Sequence, residues 1–64
     1  MHEFSIASSI VENVLELAER ERASKVLEVR LVIGEFTHIE GEQVRFCFEA
    51  IVQGTALEGA VLVV

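Results

Sequence analysis

The chain has no proline, no tryptophan and no tyrosine, and it has one cysteine, Cys47. One thiol cannot close an intramolecular disulfide, which suits a reducing compartment. No proline-rich or glycine/serine-rich stretch marks a linker, and there are no internal repeats or low-complexity segments. No apolar run approaches the ~20 residues of a membrane-spanning helix. The N-terminus lacks the basic region and apolar core of a secretory signal, so a cytoplasmic protein is expected. Positive charge is also scarce. Five basic residues stand against eleven acidic ones, all glutamate, for a net charge of −6. That balance disfavours nucleic-acid binding, which needs a basic patch. It also disfavours attraction to an anionic membrane surface. It leaves room for a cation or a basic partner, and it keeps a small apolar domain soluble.

What is present points to an ordered domain. The 64 residues can hold one domain, 1–64. At this size folding buries only roughly 60% of the surface that the unfolded chain exposes. A hydrophobic content of 52% compensates.

From Ser5 to about Arg22 the apolar residues follow a helical period. Ile6, Ile10, Val14 and Leu17 make one stripe, which Val11, Leu15 and Ala18 widen. Ser5 is the expected N-cap. Glu3 lies where a helix start favours negative charge, and Arg20, Arg22 and Lys25 gather at the helix end. Val26 to Ile33 alternates instead, with Leu27, Val29, Leu31 and Ile33 on one face, and reads as a strand closed by Gly34. EFTHIEG, Glu35 to Gly41, connects it to a second helix from about Glu42 to Gln53. That helix carries a stripe of Val44, Cys47, Phe48 and Ile51, with Phe46 and Val52 beside it. Gly54 stands where a left-handed cap is expected. A turn containing Gly59 leads to a last strand, AVLVV, residues 60–64.

The order helix–strand–helix–strand implies parallel strands joined by a crossover helix. The fold class is α+β, with two helices packed on one face of a small sheet. Two strands make a poor sheet alone. A third, missing here or supplied by another chain, would complete it. An exposed apolar final strand is an aggregation hazard unless something covers it, so the chain reads as a piece cut from something longer.

The first residues, MHE, carry the chemistry. His2 supplies an imidazole. Met1 supplies an amine with a reference pKa of roughly 7.7–8.0, partly deprotonated at neutral pH. The amide nitrogens of His2 and Glu3 lie between and after them. An ion such as Ni(II) or Cu(II) can displace amide protons once an amine or imidazole anchors it. Four nitrogens from three consecutive residues can then fill a square plane, a geometry that zinc does not favour.

Three stretches identify the chain more closely: MHEFSIASSIVENVL, VIGEFTHIEGEQVRFCFEAIVQGT and EGAVLVV. Together they resemble the N-terminal domain of the HypA/HybF family, the nickel metallochaperones of hydrogenase maturation. The resemblance runs through the whole chain. It implies nickel held by the N-terminal amine, His2 and nearby backbone amides, with Glu3 also implicated, so the expected metal residues are Met1, His2 and Glu3. It implies delivery to the large subunit of a [NiFe]-hydrogenase, or to urease in some relatives, with a HypB-type GTPase as partner. The family continues into a zinc domain with two CxxC pairs and then returns to the first domain with a C-terminal strand. Neither is found in these 64 residues, so the zinc expected for the family has no site here.

Other candidates are weaker. His38, between Glu35 and Glu40, reads as a loop histidine and not as an auxiliary ligand. Glu40 suits a capping role at the second helix. Cys47, on the apolar stripe, reads as a small core hydrophobe. Phe36, Phe46 and Phe48 read as core. No serine–histidine–acid set or phosphate-cradling glycine loop is present, so an enzyme is not expected. The alternative to a nickel carrier is an assembly or dimerisation module that acts through its final strand, residues 60–64.

Overall fold

A computed structural model of the protein describes residues 2–32, 34 and 38–64. The elements run α1 (Glu3–Arg20), β1 (Glu28–Arg30), α2 (Gly41–Ile51) and β2 (Val61–Val63). The strands are parallel, with Glu28 beside Val61, Val29 beside Leu62 and Arg30 beside Val63. This is the expected α+β arrangement of two helices on a minimal sheet, and no third strand stands among the described residues.

The inward face of α1 is built on Ala7, Val11 and Ala18, with Val14 half-buried between them. The stripe is therefore turned one residue from the one read off the largest apolar side chains. Ile6 and Ile10 flank the core, while Leu17 is half exposed. Size explains the rotation. Ala7 is fully buried in one cluster with Val44 and Phe48 of α2, and its small side chain lets that helix approach.

The start of α1 also differs from expectation. Ser5 is not the N-cap. His2 is, with φ −119° and ψ 41° and no side-chain cap bond. The His2 carbonyl accepts the Ile6 N–H at 3.0 Å. The extra residues join the helix because Glu3 is anchored from outside it, as described below. At the other end Arg22 takes a left-handed φ of 58°. The Ala23 N–H then reaches the Ala18 carbonyl at 2.8 Å, and the Arg22 N–H reaches that of Glu19 at 3.1 Å. This double closure normally uses glycine at the left-handed position.

The paired part of β1 is shorter than the alternating run, because β2 offers only three partners. One further bond lies on each side. The Val61 N–H donates to the Leu27 carbonyl at 3.0 Å, and the Leu31 N–H donates to that of Val63 at 2.8 Å. Val29 and Leu31 pack against the core, but Leu27 is 72% exposed. Ile33 lies outside the described residues, as do Met1, Glu35, Phe36 and Thr37.

In α2, Val44 and Phe48 are fully buried, with Cys47 and Ile51 packed beside them. Phe46 is not core: it is 70% exposed. Two residues on from Val44 is roughly 200° round the helix, on the solvent side. After α2, Gly54 (φ 79°) and Gly59 (φ 85°) adopt the left-handed backbone that a side chain resists. Between them the Thr55 hydroxyl donates to the Val52 carbonyl at 2.7 Å and accepts the Leu57 N–H at 3.1 Å. The turn delivers Leu57 and then Leu62 into the core. Val61, Val63 and Val64 stay exposed. Among the described residues, no helix is long and apolar enough to cross a membrane.

Candidate metal centre

The N-terminus of α1 meets the N-terminus of α2. Glu3 stands four residues before Ala7 and so lies on the buried face. Among the described residues it is the buried acidic side chain, at 9% exposure. Its carboxylate accepts the Glu40 N–H at 3.2 Å. Glu40 is the N-cap of α2 (φ −88°, ψ 109°), and its carbonyl accepts the Val44 N–H at 3.0 Å. One carboxylate thus ties the two helix starts together.

The Glu3 carboxyl is lowered to about 2. The main cause is the positive charge of the N-terminus. The Glu40 N–H and the N–H of Glu3 itself follow, and partial burial opposes them. All three influences favour the charged form, so Glu3 is an anion throughout the neutral range.

His2 is exposed directly before this anchor, and Glu3 opens the helix. The first N–H groups of a helix have no carbonyl one turn back to bind. The structure therefore places an accessible imidazole next to helix-end amides. His38 is exposed in the approach to α2, and Glu40 caps that helix through its backbone with no side-chain cap bond. Cys47 is packed against the core. No group of three or more histidine, cysteine or acidic side chains gathers among the described residues. A site of one imidazole with backbone and terminal nitrogens does not require one.

The bond from Glu3 to Glu40 was not read from the sequence, where both glutamates were assigned to helix ends. A signal was present. A glutamate at the i−4 position of a buried alanine points inward, and a buried carboxylate needs a donor. The donor is a backbone N–H, which no residue letter announces.

Comparison with known proteins gives a consistent result. A family profile described as hydrogenase/urease nickel incorporation, metallochaperone, hypA matches residues 1–64. Curated relatives named hydrogenase maturation factor HypA match along most of the chain. The one from Methanopyrus kandleri is 53% identical over 60 residues, covering 94% of this chain and 42% of the relative. The one from Archaeoglobus fulgidus is 47% identical over 62 residues, 97% of this chain and 56% of the relative. The one from Chlorobaculum tepidum is 45% identical over 64 residues, all of this chain and 57% of the relative. The chain spans about half the length of the curated relatives it matches.

Proposed function

The chain belongs to the HypA family of hydrogenase/urease nickel-incorporation metallochaperones, and on that premise we propose that its first three residues carry Ni(II) as cargo. The observation that supports this most is the exposed His2 at the very start of α1, beside an anchored Glu3. The donors are the Met1 amine, the His2 imidazole and the amide nitrogens of His2 and Glu3. They are all nitrogen and consecutive, a set suited to square-planar Ni(II) and poorly suited to tetrahedral zinc.

The roles divide within Glu3. Its amide nitrogen is a ligand, and its carboxylate stays on the Glu40 N–H and fixes the position of the helix start. A square plane filled by four nitrogens leaves no strong open position for Lewis-acid chemistry, so the domain is a carrier and not an enzyme. Release follows protonation of the amine, the amides or the imidazole, so affinity falls as pH falls. The cargo passes in the cytoplasm, with a HypB-type GTPase, to the large subunit of a [NiFe]-hydrogenase or to urease. The zinc of the family belongs to sequence outside these 64 residues, which hold a single cysteine.

The test is a Ni(II) titration of the untagged, unacetylated chain beside His2→Ala, followed by visible absorption and proton NMR. One equivalent is expected to give a yellow chromophore and sharp, diamagnetic spectra. The variant, and the wild-type chain with an acetylated amine, are expected to show neither. Nickel binding that survives both changes would refute the N-terminal site.

A further inference from the structure

Gly54 and Gly59 owe their places to backbone shape: both have positive φ, with open space where a β-carbon would stand. Gly41 is different. It opens α2, and helical backbone asks nothing that only glycine supplies. The constraint at Gly41 is room. A β-carbon there would lie 2.9 Å from Cγ1 of Val64, 3.6 Å from its Cβ and 3.9 Å from its Cγ2. Carbon atoms pack at about 3.5–4.0 Å, so no side chain fits as the chain stands. The residue that follows β2 therefore lies directly on the first residue of α2.

That helix start is where α1 is tied. Glu40 immediately precedes Gly41, and its N–H donates to the Glu3 carboxylate at 3.2 Å. Building on the Ni(II) reading of residues 1–3, we propose that Gly41 and Val64 are positioning residues for that site. Their contact is a buttress that holds the Glu40 N–H on the Glu3 carboxylate.

The distances make this contact matter. Opening 2.9 Å to an ordinary carbon contact takes about half an ångström. The bond from Glu40 to Glu3 is already at the long end of the usual N–H···O range, about 2.7–3.2 Å. A helix start displaced away from Glu3 by half an ångström would break it. Val64 has limited freedom to yield instead. The Val63 carbonyl accepts the Leu31 N–H at 2.8 Å, which pins the backbone one residue earlier. A β-branched side chain is also stiff about χ1. Shortening Val64 acts in the opposite way, by leaving a gap beneath Gly41. Val64 is 47% exposed, so its truncation disturbs the core little and reports on the buttress.

The test compares Gly41→Ala, Val64→Ala and the double variant with the wild type, all untagged and unacetylated. In the metal-free chain, amide NMR follows the Glu40 N–H. Each single variant is expected to move its proton signal upfield, as a weakened hydrogen bond does. The double variant is expected to restore it, because the methyl gained at 41 replaces bulk lost at 64. In Ni(II) titrations each single variant is expected to bind about threefold to tenfold more weakly, less than the usual loss of an outer-shell partner itself. The double variant should return to within about twofold of the wild type. Alanine favours a helix over glycine, so helix propensity alone would act against the loss in Gly41→Ala. Single variants with an unmoved Glu40 signal and wild-type nickel affinity would overturn the proposal. So would losses that the double variant does not restore. A wild type that binds no nickel at its N-terminus would refute the Ni(II) reading, and the Glu40 signal would still decide the buttress.

Discussion

Glu3 combines burial, charge and a lowered pKa in one side chain. Its carboxyl titrates near 2 in the fold, against 4.5 for an unperturbed glutamate. A depressed folded pKa stabilises the fold above the unfolded value, and that contribution is lost as pH falls from about 4.5 to about 2. Denaturation midpoints of the metal-free chain and of Glu3→Gln, measured from pH 6 down to pH 2, check this. The wild type is expected to be the more stable at pH 6, and the gap should close across that window. Arg22 is the second residue under constraint, in the left-handed conformation at the end of α1. A β-carbon there costs about 1–2 kcal/mol, partly offset by favourable charge at the helix end. Arg22→Gly is expected to raise stability by about 0.5–1 kcal/mol in urea denaturation.

At the scale of elements, α2 shows two phenylalanines with opposite fates. Phe48 is fully buried and Phe46 faces outward. Phe48→Ala is expected to cost about 3–5 kcal/mol. A domain this small holds only about 3–10 kcal/mol in total, so that variant should lose about a third or more of its stability, read by circular dichroism in urea. Phe46→Ser should change stability by no more than about 0.5 kcal/mol. Thr55→Ala removes a hydroxyl that serves two backbone groups in the turn after α2, at an expected cost of about 1 kcal/mol in the same denaturation.

These elements also mark where sequence reading succeeded and where it did not. Both helices and both strands were legible, because apolar spacing changes from the helical period to alternation at Val26 and back after Gly41. The parallel pairing followed from an intervening helix. The rotation of the α1 stripe toward Ala7 and Ala18 was not legible, since hydrophobicity favours Ile6 and Leu17 while close packing favours small side chains. The fate of Phe46 depended on angle round the helix and not on composition. At the candidate metal centre, the place of His2 just ahead of the first helix was plain in the first letters. The anchor on Glu40 was not, because its donor is backbone.

For the molecule as a whole, the parallel register has a consequence for folding. The hydrogen bonds of the sheet join Leu27 to Val61 and Val63 to Leu31, about half the chain apart. A ladder between such distant segments must overcome loop-closure entropy before it gains anything, so it slows folding. The helices, by contrast, are made of local contacts and can form early. On a ribosome, α1 and α2 can take shape while the sheet waits for residues up to Val63 to emerge. A nascent chain halted before Val61 would hold a nearly finished helical layer above an unpaired β1. Until its own β2 arrives, the β1 edge that β2 will occupy is exposed to any other nascent strand. Recognition by a holding chaperone should concentrate in that interval.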